Sequence, residues 1–291
     1  MPSPPDDPWS SISRRNARSV QTTIGWIFWD PGAVRRFQAR GLLPGLGYIA
    51  ARCAPLAGAG ADAAVAALGS ISEAAIRHVF ELLEGPEAFL EVWAERNEAV
   101  REGLERYAPA LVPALEEFGP RLWDVAARLP LVARPFAASH LSLTLPDDPT
   151  LAGWHAVNFL REWRGDTHWA LVAAHGLTGF EASVLHNAWL GYEGDWLSRS
   201  RGNTHEQIDD AWRGLNDKGL AEDRTVNVTG LALRQRLEDE TDRLSALPWQ
   251  LLGLQWSLEF AEQFEPPCVA LLARVDETAG VNYQPASRLR H

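Results

Sequence analysis

The chain has 291 residues, 46% of them apolar, and a formal net charge of −11, enough for two ordinary domains or one large one with a sizeable core. The acidic balance opposes a polyanionic partner, because affinity for nucleic acid depends largely on counterions released from neutralised phosphates. The positive side is almost all arginine, with Lys218 the only lysine, and the two cysteines, Cys53 and Cys268, are too far apart in sequence to make a disulfide framework or a zinc knuckle, which fits a reducing cytoplasm.

The start, MPSPPDDPWSSISRR, is rich in proline and acid and lacks the basic-then-apolar order of a signal peptide, so residues 1–22 are expected to be a loose tail. An aromatic run, TIGWIFWD (23–30), precedes Pro31, and AVRRFQARGL gives a short helix closed by Gly41. The Ala/Gly/Leu-rich stretch 41–71 is interrupted by Arg52, Pro55 and Asp62 and therefore fails as a membrane span. Residues 46–53, 60–69 and 72–83 predict three short helices, and Pro86 opens a long amphipathic one reaching Tyr107, with Phe89, Val92, Trp93, Val100 and Leu104 on its apolar stripe. A further helix follows over 109–128. Prolines at both ends and in the middle of 129–149 mark a linker. The organisation expected is a helical half (23–128), this linker, a second half (150–265) and a C-terminal segment (266–291).

Tryptophans, histidines and arginines concentrate in 148–190. Asp148 can cap a helix with Pro149 at its first position. The spacing predicts that this helix runs through Trp163 and ends at Gly165, that Asp166 caps a second from Thr167, and that a third occupies 180–190. At about 100° per residue, His155, Asn158 and Glu162 share one stripe while Trp154, Arg161 and Arg164 lie on another. A functional reading makes these a ligand pocket: Trp154 and Trp169 as walls, Arg161 and Arg164 as an anion clamp, with His155, Asn158, Asp166, His168 and His186 as polar contacts. A competing reading leaves the polar stripe in solvent and pairs Arg164 with Asp166 or Glu162. His168, near a helix start, is biased towards its neutral form; if the protein is an enzyme, His155 and His168 are its acid and base. His168 and His175 are two turns, roughly 10 Å, apart, and no HExxH or CxxC pattern occurs, so no metal site is expected and no cofactor is indicated.

From Thr204, THEQIDDAWRGLNDKGL predicts a capped helix closed by Gly219. AEDRTVNVT then alternates through Val226 and Val228 as a short hairpin, and Thr229 and Gly230 start a long helix broken at Pro248. The segment THEQIDDAWRGLNDKGLAEDRTVNVTGLALRQRLEDETDRL resembles the C-terminal half of a MarR-type winged helix. The larger pattern RPFAA…LPDDPTLAGWHAVNFLREWRGDTHWALVAAHGL…TDRL is similar to an actinobacterial helix-turn-helix family that shares Trp154, His155, Arg161, Arg164, Gly165, Asp166 and His168. An offset of 119 residues aligns Gly60, Asp62, Ala63 and Val65 with Gly179, Glu181, Ala182 and Val184, hinting at a degenerate repeat. The fold class this resemblance implies is mostly α: a tandem, pseudo-duplicated winged helix-turn-helix with one small hairpin wing, a monomer acting as a pseudo-dimer or a homodimer, with a ligand cavity where the halves meet. The recognition-type helix exposes His205, Glu206, Asp209 and Asp210, with Arg213, Lys218 and Arg224 the only nearby cations, and those acids would meet phosphates of like charge. The leading expectation is therefore a binder of a small anionic or aromatic ligand, with a sensor or accessory role, that is not a strong DNA reader and has no membrane partner; an enzyme on the same scaffold and a DNA-binding regulator are the competing functions.

Overall fold

The computed structural model describes residues 8–288. In chain order they form α1 (Pro8–Gly25), a 3-10 turn over Trp26–Trp29, α2 (Pro31–Ala39), α3 (Leu46–Cys53), α4 (Ala61–Leu68), α5 (Glu73–Leu82), α6 (Gly85–Tyr107), α7 (Leu111–Ala126) and α8 (Pro135–His140). Then come α9 (Pro149–Ala174), α10 (Gly179–Trp189), α11 (Trp196–Ser200), α12 (His205–Asp217), the strands β1 (Ala221–Glu222) and β2 (Thr225–Val226), α13 (Val228–Leu244), α14 (Leu247–Leu252) and α15 (Leu254–Thr278). Among the described residues no helix is long and apolar enough to cross a membrane.

The helix starts follow from the capping chemistry of their first residues. Asp148 accepts the Leu151 N–H at 3.0 Å, with Pro149 next to it where its missing N–H costs nothing. Thr178 and Thr204 form reciprocal capping boxes with Glu181 and Gln207 at the heads of α10 and α12. Gly219, at φ +68°, closes α12, and the hairpin pairs Ala221 with Val226 and Glu222 with Thr225.

Two apolar cores result. The larger takes in Ile24, Trp26, Phe118, Trp154, Phe159 and Phe260, and so joins α1, α6, α7, the first half of α9 and α15. The smaller, around Leu185, Ile208, Leu215, Val226 and Leu237, joins α10, α12, the hairpin and α13 to the end of α9 through Val172. α7 and α9 approach until Gly119 faces Gly153, where a side chain on either would strike the other's backbone. Likewise Gly179 at the head of α10 lies against the Gly69 carbonyl, and the Ser72 N–H donates to the Arg201 carbonyl at 3.0 Å, so the turn between α4 and α5 docks beside α10 and α11.

Several expectations need correction. Residues 8–25 are not a loose tail but α1. Its buried face is Ser13, Asn16, Ser19, Thr22 and Thr23 interleaved with Ile12, Val20 and Ile24, a polar composition that hides the helix from a hydrophobicity reading. Asn16 Nδ2 donates to the Ser257 carbonyl at 3.0 Å, and Arg15 makes a two-pronged ion pair with Glu265 at 2.7 and 2.8 Å, which ties α1 to α15. Residues 1–7 of the expected tail lie outside the described residues. The 129–149 segment contains α8, with Phe136, Ala137 and His140 buried.

The predicted break at Gly165 is absent: α9 runs unbroken through Gly165 because Trp163, Asp166, Thr167 and Val172 keep burying the helix beyond it. Asp166 accepts the Ala137 N–H at 2.9 Å and so serves α8 instead of starting a helix of its own. Asn227, not Thr229, caps α13, accepting from the Thr229 and Gly230 N–H groups, and Val228 stands exposed on its first turn. The long helix ends at Leu244, ahead of Pro248, and the boundary at 265/266 falls inside α15, which continues through Pro266 and Pro267. The aligned glycines stand at the heads of α4 and α10, but α5 follows α4 directly while α11 intervenes before α12, and no strand lies between α5 and α6 among the described residues.

Candidate functional site

α9 threads both cores, and its polar residues divide into an inner layer and a seam between the cores. In the inner layer Trp154, His155 and Asn158 are all buried. The Trp154 indole donates to the Thr23 carbonyl at 2.8 Å. His155 Nε2 lies 3.1 Å from Asn97 Oδ1, and its ring packs edge-on against Trp93. Asn158 Nδ2 donates to His140 Nε2 at 3.2 Å, so the other ring nitrogen of His140 carries the hydrogen that reaches the Phe136 carbonyl at 2.8 Å. Burial, aided by Arg96, pushes the His155 imidazole far below its ordinary range, and burial lowers His140 to about 4. Arg96 fills the centre, its guanidinium 3.4 Å from the Trp93 ring centroid and 4.6 Å from that of Trp154. Apart from Arg96 Nε, which is buried without a partner, these side chains bond or stack on one another, and His155 is buried among them.

The seam is built differently. Glu162, buried in the middle of α9, is held by Arg52 from α3 at 2.8 Å and by its neighbour Arg161. Burial alone would raise its carboxyl, but Arg161 and Arg52 overcome that and hold it at about 2. Arg52 also donates to the Tyr48 hydroxyl at 2.9 Å, and Arg161 Nε to Gln21 at 3.0 Å. One turn on, Arg164 bridges Glu238 at 2.9 Å and Asp242 at 2.8 Å on α13, neither Asp166 nor Glu162, and Arg14 of α1 completes the Asp242 pairing at 2.7 Å. Burial raises the Asp166 carboxyl to about 7, a shift that the Ala137 N–H opposes and Glu162 reinforces.

Beyond Arg164 the partners thin out. The Thr241 hydroxyl donates to the Leu237 carbonyl at 2.6 Å, so at 3.1 Å it accepts from His168 Nδ1. His168 Nε2 then carries a lone pair with no protein donor among the described residues. Burial, seconded by Arg234, lowers this imidazole to about 3. The His186 ring on α10 makes no hydrogen bond among the described residues; burial, with Arg234 and Arg201 beside it, holds it neutral. Arg234 pairs with Glu238 at 2.7 Å and lies over the Trp189 ring, 4.5 Å from its centroid, but its Nη1 has no partner. Arg201, just after α11, donates to the Ser183 hydroxyl at 2.7 Å and meets no carboxylate among the described residues. Burial lowers it to about 10, with Arg52 and Arg234 pushing the same way and Tyr48 opposing. Arg201, His168 and His186 sit among these groups yet keep some accessible surface. Five guanidiniums, of Arg14, Arg52, Arg161, Arg164 and Arg234, meet four carboxylates, of Glu162, Glu238, Asp239 and Asp242, and Arg201 adds a sixth that meets none among the described residues.

Of the residues picked from the sequence, the seam gathers Arg161, Arg164, Asp166, His168 and His186. It excludes Trp154, His155 and Asn158. Trp169 packs its ring on Gly69 at the docking turn. Tyr48, Arg52, Arg201, Arg234 and Glu238 escaped sequence reasoning because they come from separate elements with no shared spacing. Among the described residues no group of three or more His, Cys, Asp or Glu is placed to hold a metal ion, and both cysteines are buried and free.

The outer face of α12 contrasts with this. Arg213 pairs with Asp210, Arg224 of the hairpin with Asp209 and with Asp195 at 3.1 Å, and Lys218 with Glu181 at 2.6 Å. Each cation that could meet a phosphate there is already matched by a carboxylate. Comparison with curated proteins and with solved structures returns no match. A family model does match, described as a helix-turn-helix family, and it covers residues 13–277, which span α1 to α15 and both cores. The chain belongs to this helix-turn-helix family.

Proposed function

We propose that the protein is a MarR-like winged-helix protein, possessing two related halves, that binds a small anionic ligand in the seam between them and does not read DNA strongly. The observation that carries this reading is Arg201: a guanidinium among Arg52, Arg234 and two neutral imidazoles, with a hydroxyl and no carboxylate as its partner. A buried cation without a counter-ion is costly, and a carboxylate or phosphate group on a ligand would supply the missing charge. The His168 Nε2 lone pair accepts from a ligand O–H or N–H, and Trp169 and Trp189 offer flat apolar surface nearby, which favours a hydroxylated aromatic acid. The acids on α12 support the second clause, because they repel the phosphates that a recognition helix must approach.

Thermal unfolding followed with benzoate, 4-hydroxybenzoate and inorganic phosphate tests the proposal. An acid that binds the native state stabilises it by about 2.7 kcal/mol at a hundredfold excess over Kd. The expected result is a rise in Tm with 4-hydroxybenzoate in the wild type that disappears in Arg201→Met while the ligand-free Tm changes little. No rise with any of the three, together with salt-sensitive retardation of a promoter fragment, would return the protein to gene regulation.

A further inference from the structure

A second basic region uses none of the seam residues. A cleft of about 320 Å³ opens where the start of α2 meets α6 and α15. Three arginines line it, one from each helix: Arg35, Arg106 and Arg274. Its two acids are already engaged. Asp30 accepts the Gly32 N–H at 2.7 Å through one carboxylate oxygen and Arg274 at 3.2 Å through the other, and Glu102 takes Arg36 at 2.7 Å. Arg35 and Arg106 are exposed, and neither forms an ion pair or hydrogen bond among the described residues. Arg106 and Arg274 lie over the same Tyr107 ring, 5.2 and 4.6 Å from its centroid, and the Tyr107 hydroxyl has no partner among the described residues. Ala99, Gly103 and Gly32 keep that lining low. On a chain of net charge −11, three arginines against two carboxylates leave the lining of this concave space one charge positive, with Arg274 also reaching Glu277 at 3.6 Å.

We infer that this cleft is a second anion site, distinct from the seam, and that it takes a small organic phosphate. Arg35 and Arg106 reach in from different helices, and a tetrahedral phosphate presents several edges to guanidiniums arriving from different directions, where a planar carboxylate presents one. A volume near the lower end of ligand pockets is larger than free phosphate needs, leaving room for an attached sugar or glycerol against Tyr107. Arg274 is a positioning residue here: its pair with Asp30 keeps that carboxylate neutralised and its stacking fixes the Tyr107 ring.

Calorimetric titration of the full chain with ribose 5-phosphate, inorganic phosphate and succinate tests this. Saturable binding of ribose 5-phosphate, tighter than that of the other two, is expected in the wild type and equally in Arg201→Met. In the double variant Arg35→Ala/Arg106→Ala the affinity should fall by at least about tenfold with Tm little changed, since neither side chain has an ion pair or hydrogen bond to lose among the described residues. No saturable binding by the wild type, equal affinity in the double variant, tighter binding of succinate, or loss of binding in Arg201→Met would each overturn the inference. The seam is read out separately by the aromatic acid, so either site can fail alone.

Discussion

Two stretches of the same helix carry the same residue types and use them in opposite ways. Around residues 154–158 of α9 a tryptophan, a histidine and an asparagine close on core neighbours: Thr23, Asn97 and His140 take their hydrogen bonds, and Trp93 and Trp154 flank Arg96. Around 161–168 the charged groups arrive from α1, α3, α13 and the end of α11, with guanidiniums in excess. Residue type alone therefore does not mark a site; the balance of charge and the leftover hydrogen-bonding capacity do.

Three substitutions sharpen or break that contrast. The largest effect is expected for Glu162→Gln, which leaves Arg52 and Arg161 facing each other in a buried position. Breaking a buried pair in this way costs about 3–5 kcal/mol, visible as a lower urea midpoint with unchanged slope; a loss below about 1 kcal/mol would mean that the seam does not depend on internal charge balance. Arg96→Met is expected to act in the opposite direction. Arg96 has no carboxylate partner and its Nε is unpartnered, so an apolar side chain of similar volume should stabilise the inner layer by about 1–2 kcal/mol. Marked destabilisation would show that stacking on two indoles outweighs desolvation there.

The smallest effect is a pH dependence. The Asp166 carboxyl is raised to about 7, so the native state holds its proton more tightly than the unfolded chain. The stability this proton confers is fully present below the ordinary carboxyl range and is lost as pH rises through about 7. Asp166→Asn keeps an acceptor for the Ala137 N–H and removes the charge. It should be more stable than the wild type at pH 8, and the gain should vanish at pH 4. A difference independent of pH would place the Asp166 carboxylate in a polar environment.

Much of the helical architecture was legible because its signals are local. Asp148-Pro149, the Thr178 and Thr204 boxes and Gly219 each act within one turn of chain, and the apolar stripe of α6 repeats with the helical period. α1 was missed because its buried face is Ser, Asn and Thr; Asn16 Nδ2 finds the Ser257 carbonyl of α15 and the Thr22 hydroxyl the Arg18 carbonyl, partners that exist only after packing. The break at Gly165 was expected because glycine and aspartate signal a helix end, yet burial on both sides of 165 outweighs a cost of about 1 kcal/mol for one glycine.

The sequence by itself determined many of the helical segments, where one hairpin falls, and that α12 carries an acidic outer face, because propensity, capping and net charge are properties of neighbouring residues. Only the tertiary structure decided which of the α9 side chains share a site. It set Arg161, Arg164 and His168 against Arg52, Arg201, Arg234 and Glu238, and it sealed His155 among Trp93, Arg96 and Asn97. Whether a buried cation is neutralised depends on charges brought from distant positions in the chain, and no periodicity within one helix encodes them.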